Sequence, residues 1–170
     1  MRRPRRTADD ALSHTKDKAA TYTKKNDQTY HGYKAHVATD TRGLITDYVD
    51  DTAKVHDSQQ IDQLIEDETQ KVFADSAYMN KNRRKRLEKD NIFCGIIERR
   101  VRGQNELTAK QKAHNRLCAS LRTYVEHPFA WIKNTGALRR TRYRGLVRNA
   151  IDFALNAIAF NFKRSLSLMT

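Results

Sequence analysis

Long apolar runs are missing from this chain. No stretch approaches the roughly 18 uncharged apolar residues of a membrane-spanning helix. The basic start, MRRPRRTADD, has no apolar segment behind it. Neither a membrane protein nor a secreted one is expected. Cysteine is scarce, and Cys94 and Cys118 belong to no paired motif. That argues against a disulfide framework and a zinc site, leaving reduced, half-buried thiols of a cytosolic protein. Internal repeats, low-complexity tracts and a clear helix-turn-helix are also absent, so no repeat array or familiar DNA-reading element is expected. Acidic residues are outnumbered, 20 against 33 Lys and Arg, which leaves a net charge of +13.

What is present is a chain of 170 residues, 38% hydrophobic and 31% charged, enough for one domain with a modest core. Its positive charge is clustered: RRPRR (2–6), KNRRKR (81–86), ERRVR (98–102) and RRTRYR (139–144). Clusters of this kind suit a phosphate backbone, because each neutralised phosphate releases counterions. Nucleic acid is the commonest cytosolic polyanion and the expected partner. Charge alone names no reaction, and an RNA-binding or ribosome-associated module would carry it equally well.

Residues 1–29 hold almost no large apolar residues and read as a basic arm, extended or disordered. From Tyr30 the pattern changes. GYKAHVATD (32–40) alternates as a half-buried strand should, and LITDYVDDTAK (44–54) follows the turn TRG, which predicts an antiparallel hairpin. VHDSQQIDQLIEDE (55–68) is predicted to be a helix capped by Asp57 or Ser58. KVFAD (71–75) is a short strand ending in a carboxylate, followed by a turn and a basic helix, and NIFCGII (91–97) is a further strand. A helix is predicted over 114–134, with Leu117, Leu121, Val125, Phe129 and Ile132 as its apolar stripe. The last helix, 146–164, is the most apolar stretch and should pack across the sheet. Strands and helices in this order predict an α/β fold with a mixed sheet.

RTYVEHPFAWIK (122–133) sets Arg122, Glu126 and Lys133 among apolar residues. Steps of four and seven residues turn about 400° and 700°, so the three share a narrow stripe beside the apolar face. Pro128 cannot donate to the carbonyl of Tyr124, which predicts a kink there. Alone, Arg122 and Glu126 are also what an ordinary i,i+4 ion pair looks like. Asp75 adds a second carboxylate at a strand end, on the rim where sites of α/β proteins gather, although a cap or turn former would sit there too. Two carboxylates from separate segments suit a shared Mg²⁺ or Mn²⁺ in phosphodiester chemistry, with Lys and Arg beside them on the phosphates. His56-Asp57 reads as a cap and Trp131 and Tyr124 as packing. His127 is either packing or an orienting group, and Asp50 and Asp51 are expected in a turn or on the surface.

The series YHGYKAHVATD, TAKVHDSQ, VFADSAY and RTYVEHPFAWIK resembles the catalytic domain of bacterial insertion-sequence transposases of the DDE type, over roughly residues 29–165. The resemblance implies a ribonuclease H-like mixed sheet flanked by helices, and DNA strand cleavage and transfer with two Mg²⁺ (or Mn²⁺) ions on three acids. It implies DNA, both element ends and target, as partner, together with a homodimer or a full-length transposase, and a bacterial cytoplasm as setting. Asp75 matches the family's second aspartate and Glu126 its glutamate, as catalytic and metal-binding residues. Arg122 and Lys133 match the signature Tyr-x2-Arg-x3-Glu-x6-Lys, with Ala119 at the tyrosine position, and together with Arg139, Arg140 and Arg142 they are the expected phosphate contacts. The family's first aspartate closes a strand before the hairpin. Asp9, Asp10, Asp17 and Asp27 follow no apolar run, and Asp40 ends a hairpin strand. The expectation is therefore a C-terminal portion without its first strand, inactive by itself, or a DNA-binding remnant that regulates a full-length transposase.

Overall fold

Alternation at Tyr33, Ala35, Val37 and Thr39 produces the longest strand of the computed structural model, which describes residues 17–25, 27–66, 68–135 and 142–169. The strands are β1 (Thr21–Lys25), β2 (Gln28–Thr39), β3 (Ile45–Thr52), β4 (Lys71–Ala74) and β5 (Phe93–Ile96); the helices are α1 (Lys81–Lys89), α2 (Ala109–Asn134) and α3 (Leu146–Met169). β2 pairs antiparallel with β1 along its first half and with β3 along its second half. β4 and β5 form a separate parallel pair. The mixed α/β architecture of the sequence reading is present, with its antiparallel and parallel parts as two sheets flanked by helices.

Each sheet has its own core. Ile45 of β3, Ile132 of α2 and Phe153, Ala157 and Phe160 of α3 form the first, with Ala35, Val37 and Tyr48 packed against it. Asn161 fastens α3 to β3 as a third strand would, accepting from the Ile45 N–H and donating to its carbonyl, both at 2.8 Å. The second core joins Ile61, Val72, Leu87 and Ile96. Gly95 belongs to that packing, because a Cβ there would lie 2.3 Å from the Phe73 ring.

Several elements differ from the sequence reading. The arm expected over 1–29 is folded in its last part as β1, and Asp17 accepts from the Tyr33 hydroxyl at 2.8 Å. The helix expected over 55–68 is instead two 3₁₀ turns, Asp57–Gln59 and Ile61–Gln63, with His56 as cap. The cause is Arg83 of α1. Its guanidinium donates to the Ser58 carbonyl, the acceptor that an α-helix would give to residue 62, and grips the Asp62 carboxylate at 2.9 and 2.7 Å. α2 starts at Ala109, earlier than expected, because Thr108 and Gln111 form a capping box. It continues helical on both sides of the buried Pro128. Its first half faces inward through Cys118, not Leu117, which is 64% exposed. Here the His114 ring turns toward the Ile96 carbonyl, 3.3 Å away, and sets which face meets β5.

Asp50 is not a surface residue. β3 runs through it, opposite Ala35, and its Oδ2 is buried with no hydrogen-bond partner among the described residues. Asp51 accepts from the Gln60 side chain at 2.6 Å. Burial pushes the Asp50 carboxyl up to about 6. The folded chain therefore keeps a proton that the unfolded chain releases at its ordinary value of 3.8, so this group's contribution to stability falls between those two values and is level above them. Asp50→Asn is expected to stabilise the protein by roughly 1–2 kcal/mol above pH 6, after allowance for partial exposure, and to be near neutral at about pH 4. Thermal unfolding of both proteins at the two pH values checks it.

Candidate active site

Asp75 follows the last residue of β4, where the chain leaves the sheet for the 3₁₀ turn Ser76–Tyr78. Its carboxylate caps that turn, accepting from the Ser76 N–H at 2.5 Å and the Ser76 hydroxyl at 3.0 Å. The turn is tied to β2 by the Tyr78 hydroxyl, 2.8 Å from Nδ1 of the buried His36. Glu126 projects from the middle of α2, one turn beyond Arg122. The guanidinium of Arg122 brings the two acids together: one terminal nitrogen lies 3.7 Å from Asp75 Oδ2 and 3.6 Å from Glu126 Oε1. The separation of the two carboxylates is therefore bounded by the sum of those distances.

The charge state follows from this geometry. Burial raises the Asp75 carboxyl, but the Ser76 hydroxyl and N–H, then the Arg122 and Arg99 cations, outweigh it and hold it below its ordinary value. Arg99 acts at second hand, donating to the Ser76 hydroxyl at 2.6 Å. Neither Arg99 nor Ser76 stood out in the sequence, because Ser76 follows an obvious acid and Arg99 lies in a run of like charges.

Beside the acids runs a groove of about 360 Å³. One wall is β2 at Val37, Ala38 and Thr39, the other β4 from Lys71 to Ala74, and Val125 and Phe129 of α2 form part of its lining. Residues 33–39 of β2 pair only with β3, and β4 only with β5, among the described residues. Half of the backbone donors and acceptors of each strand therefore point away from its partner, as at any sheet edge.

A sequence model of the transposase DDE domain family matches residues 4–162, nearly the whole chain. The chain belongs to that family. A role connected with transposition follows, and with it DNA as the family's partner. No solved structure matches the chain.

The other expected site residues of this DDE domain are spread more widely. Lys133 lies about 10 Å along α2 from Glu126, with its ammonium 5.9 Å over the Phe129 ring. Arg142 is exposed on the approach to α3. Arg139 and Arg140 lie outside the described residues. Trp131 packs on Phe160, as expected, and His127 is exposed. Asp40 borders the groove, but its Oδ1 accepts from the N–H groups of Arg42 and Leu44 and holds the β2–β3 turn. Asp27 sits at positive φ in the β1–β2 turn beside Lys24.

Hard carboxylate oxygens on two packed elements suit a small divalent cation. Among the described residues no group of three or more acidic, His or Cys side chains gathers there, so this donor set is a pair. Arg122→Gln removes the cation from between the acids, and the titration midpoint of Asp75 is expected to move upward. Carboxyl-carbon NMR titration of the two proteins measures it, and an unmoved Asp75 would contradict the assigned role of Arg122.

Proposed function

We propose that Asp75 and Glu126 are the second aspartate and the glutamate of a DDE catalytic centre for DNA strand cleavage and transfer in transposition of an insertion sequence. The observation that carries this reading is the convergence of both carboxylates on Arg122, one from a strand end and one from a helix. With Mg²⁺ or Mn²⁺ held by these acids, the centre would activate the attacking oxygen and stabilise the leaving one. The residues of the chain do the remainder. Ser76 orients Asp75 through two hydrogen bonds and leaves Oδ2 directed at the neighbouring helix. Arg122 adds to Ser76 in holding the Asp75 carboxyl below its ordinary value and lies within reach of a phosphate at the same place. Lys133 and Arg142, together with Arg139 and Arg140, which lie outside the described residues, are the proposed contacts to the DNA backbone.

The open groove supports a third contribution. A strand laid between the free edges of β2 and β4 would join the two sheets and bring an acid at its end next to Asp75. An extended segment with alternating apolar residues and a terminal aspartate is the complement that the two edges accept. Among the described residues two acids meet at this centre, and the catalytic reading expects a third to complete it.

A second reading rests on Arg122. A guanidinium between two carboxylates offsets their charge without a metal, and such a site is compatible with a DNA-binding regulator that joins a complex with a full-length transposase. The two readings separate in one assay. DNA nicking and strand joining are measured with Mg²⁺, with Mn²⁺ and with chelator, for the chain alone and for a version carrying an added strand segment. The catalytic reading expects metal-dependent activity in the completed protein, reduced at least about 100-fold by Asp75→Asn or Glu126→Gln. Asn still caps the turn after β4, so folding is preserved. Activity indifferent to both substitutions would end the catalytic reading, and salt-sensitive DNA binding without any metal effect would favour the regulator.

A further inference from the structure

We infer that the cationic depression beside Arg99 seats a phosphodiester of the DNA strand, and that Arg99 ties its occupancy to the orientation of Asp75 through Ser76. This rests on the catalytic reading of Asp75 and adds a site to it. β4 and β5 run parallel, so Asp75 and the residues after Ile96 leave the same rim of that sheet. The ladder goes one step past the strand ends, where the Ile97 N–H donates to the Ala74 carbonyl at 3.1 Å. Glu98 is then clamped. Its N–H and carbonyl pair with the side-chain amide of Asn115 on α2 at 2.9 and 3.0 Å, and its carboxylate accepts from Arg84 of α1 at 2.9 Å. Arg99 therefore leaves a fixed point, and its Nε reaches back to the Ser76 hydroxyl at 2.6 Å.

The direction of the hydrogen bonds decides what this contact does. An arginine Nε only donates, so the Ser76 oxygen accepts and its proton is left for Asp75 Oδ1, 3.0 Å away. A hydroxyl that accepts from a cation donates more strongly. With the Ser76 N–H also on Oδ1, both donors settle on one oxygen, and Oδ2 is the one turned to Arg122. Arg99 thereby fixes the rotamer of Ser76 and, through it, which oxygen of Asp75 faces the centre. It is a positioning residue for Asp75.

The rest of this guanidinium is uncommitted. Arg99 is exposed, and its terminal nitrogens have no hydrogen-bond or carboxylate partner among the described residues. It borders an open depression of about 560 Å³, to which Arg100 and Lys112 add two more cations. The single acid of the lining, Glu106, is already taken by Lys112 at 2.9 Å. The wall is set before any ligand arrives: Arg100 donates to the Asn105 carbonyl at 3.1 Å, and the Gln104 amide donates to Gln111 of α2 at 2.7 Å. Three cations against one acid in an open depression suit a strand of phosphates passing through it. The planar fork of an arginine holds Ser76 by Nε and a phosphate by its terminal nitrogens at once, which a lysine cannot do.

The phosphate seat is tested on the intact chain by NMR of arginine side chains and backbone amides with single-stranded DNA. DNA is expected to shift both the Arg99 Nε–H and the Ser76 amide signals, whereas in Arg99→Lys the Ser76 signal no longer responds. Arg99→Gln is expected to lower DNA affinity about 5-fold and the salt slope by about 0.7, the share of one phosphate. Bound DNA that leaves the Arg99 signal in place overturns the inference. Inorganic phosphate that shifts it equally at the same phosphate concentration gives the depression to free anions and also overturns it. The positioning role is tested in the version completed with a strand segment. Arg99→Lys and Ser76→Ala are each expected to lower kcat about 10-fold with KM little changed, and the double variant no further, because both break one chain of contacts. Losses that multiply overturn the coupling. Unchanged kcat in both variants, where Asp75→Asn abolishes activity, overturns the positioning role and leaves the catalytic reading standing. Asp75→Asn without effect removes that reading and the positioning role with it, while the DNA-induced shifts still decide the phosphate seat. Both positions are exposed or half-buried, and circular dichroism monitors their folding.

Discussion

The buried guanidinium of Arg83 holds together three segments that no sheet connects. Its side chain is 4% exposed. It binds Asp62 through two nitrogens, donates to the Tyr78 carbonyl at 2.5 Å and reaches the Ser58 carbonyl. The turns at 57–63, the turn after Asp75 and α1 are thereby fixed to one another. A buried cation left without such partners would destabilise the fold by roughly 3–5 kcal/mol, so the ends of all three segments are constrained together. The position of Asp75 depends on this arrangement, because the turn that it caps is the turn whose carbonyl Arg83 holds.

The two sheets share no strand pairing, and α2 spans both. Its first half lies on β5 through His114 and Cys118, and its second half enters the other core through Ile132. Glu126 sits on the stretch between, so a single helix aligns the glutamate with the aspartate of β4. The tie between His36 and Tyr78 works in the same sense, linking β2 to the turn after Asp75 across the groove. A site built this way is positioned by packing on both sides and remains open along two strand edges.

The basic clusters divide into internal and external charge. Arg83 and Arg86 are committed to Asp62, and Arg84 to Glu88 and Glu98. Half of the basic residues of the most basic helix are therefore engaged within the fold, while Lys81, Lys85 and Lys89 on the same helix are exposed. Composition alone counts all of these residues alike, since pairing depends on which acids the fold brings near.

The sequence by itself determined the local elements. Alternation at Tyr33–Thr39 marked the long strand, the Val72–Ala74 run before Asp75 marked the rim, and the 100° step between residues set Arg122 and Glu126 on one side of α2. These are short-range consequences of backbone geometry, legible from neighbouring residues. Only the tertiary structure decided what depends on distant partners: that 57–63 forms two short 3₁₀ turns beside Arg83, that Asp50 carries a buried oxygen, and that Arg122 reaches Asp75 as well as Glu126. The face of α3 left bare belongs with these, because the helix is apolar nearly all round and its own pattern cannot say which side the core takes.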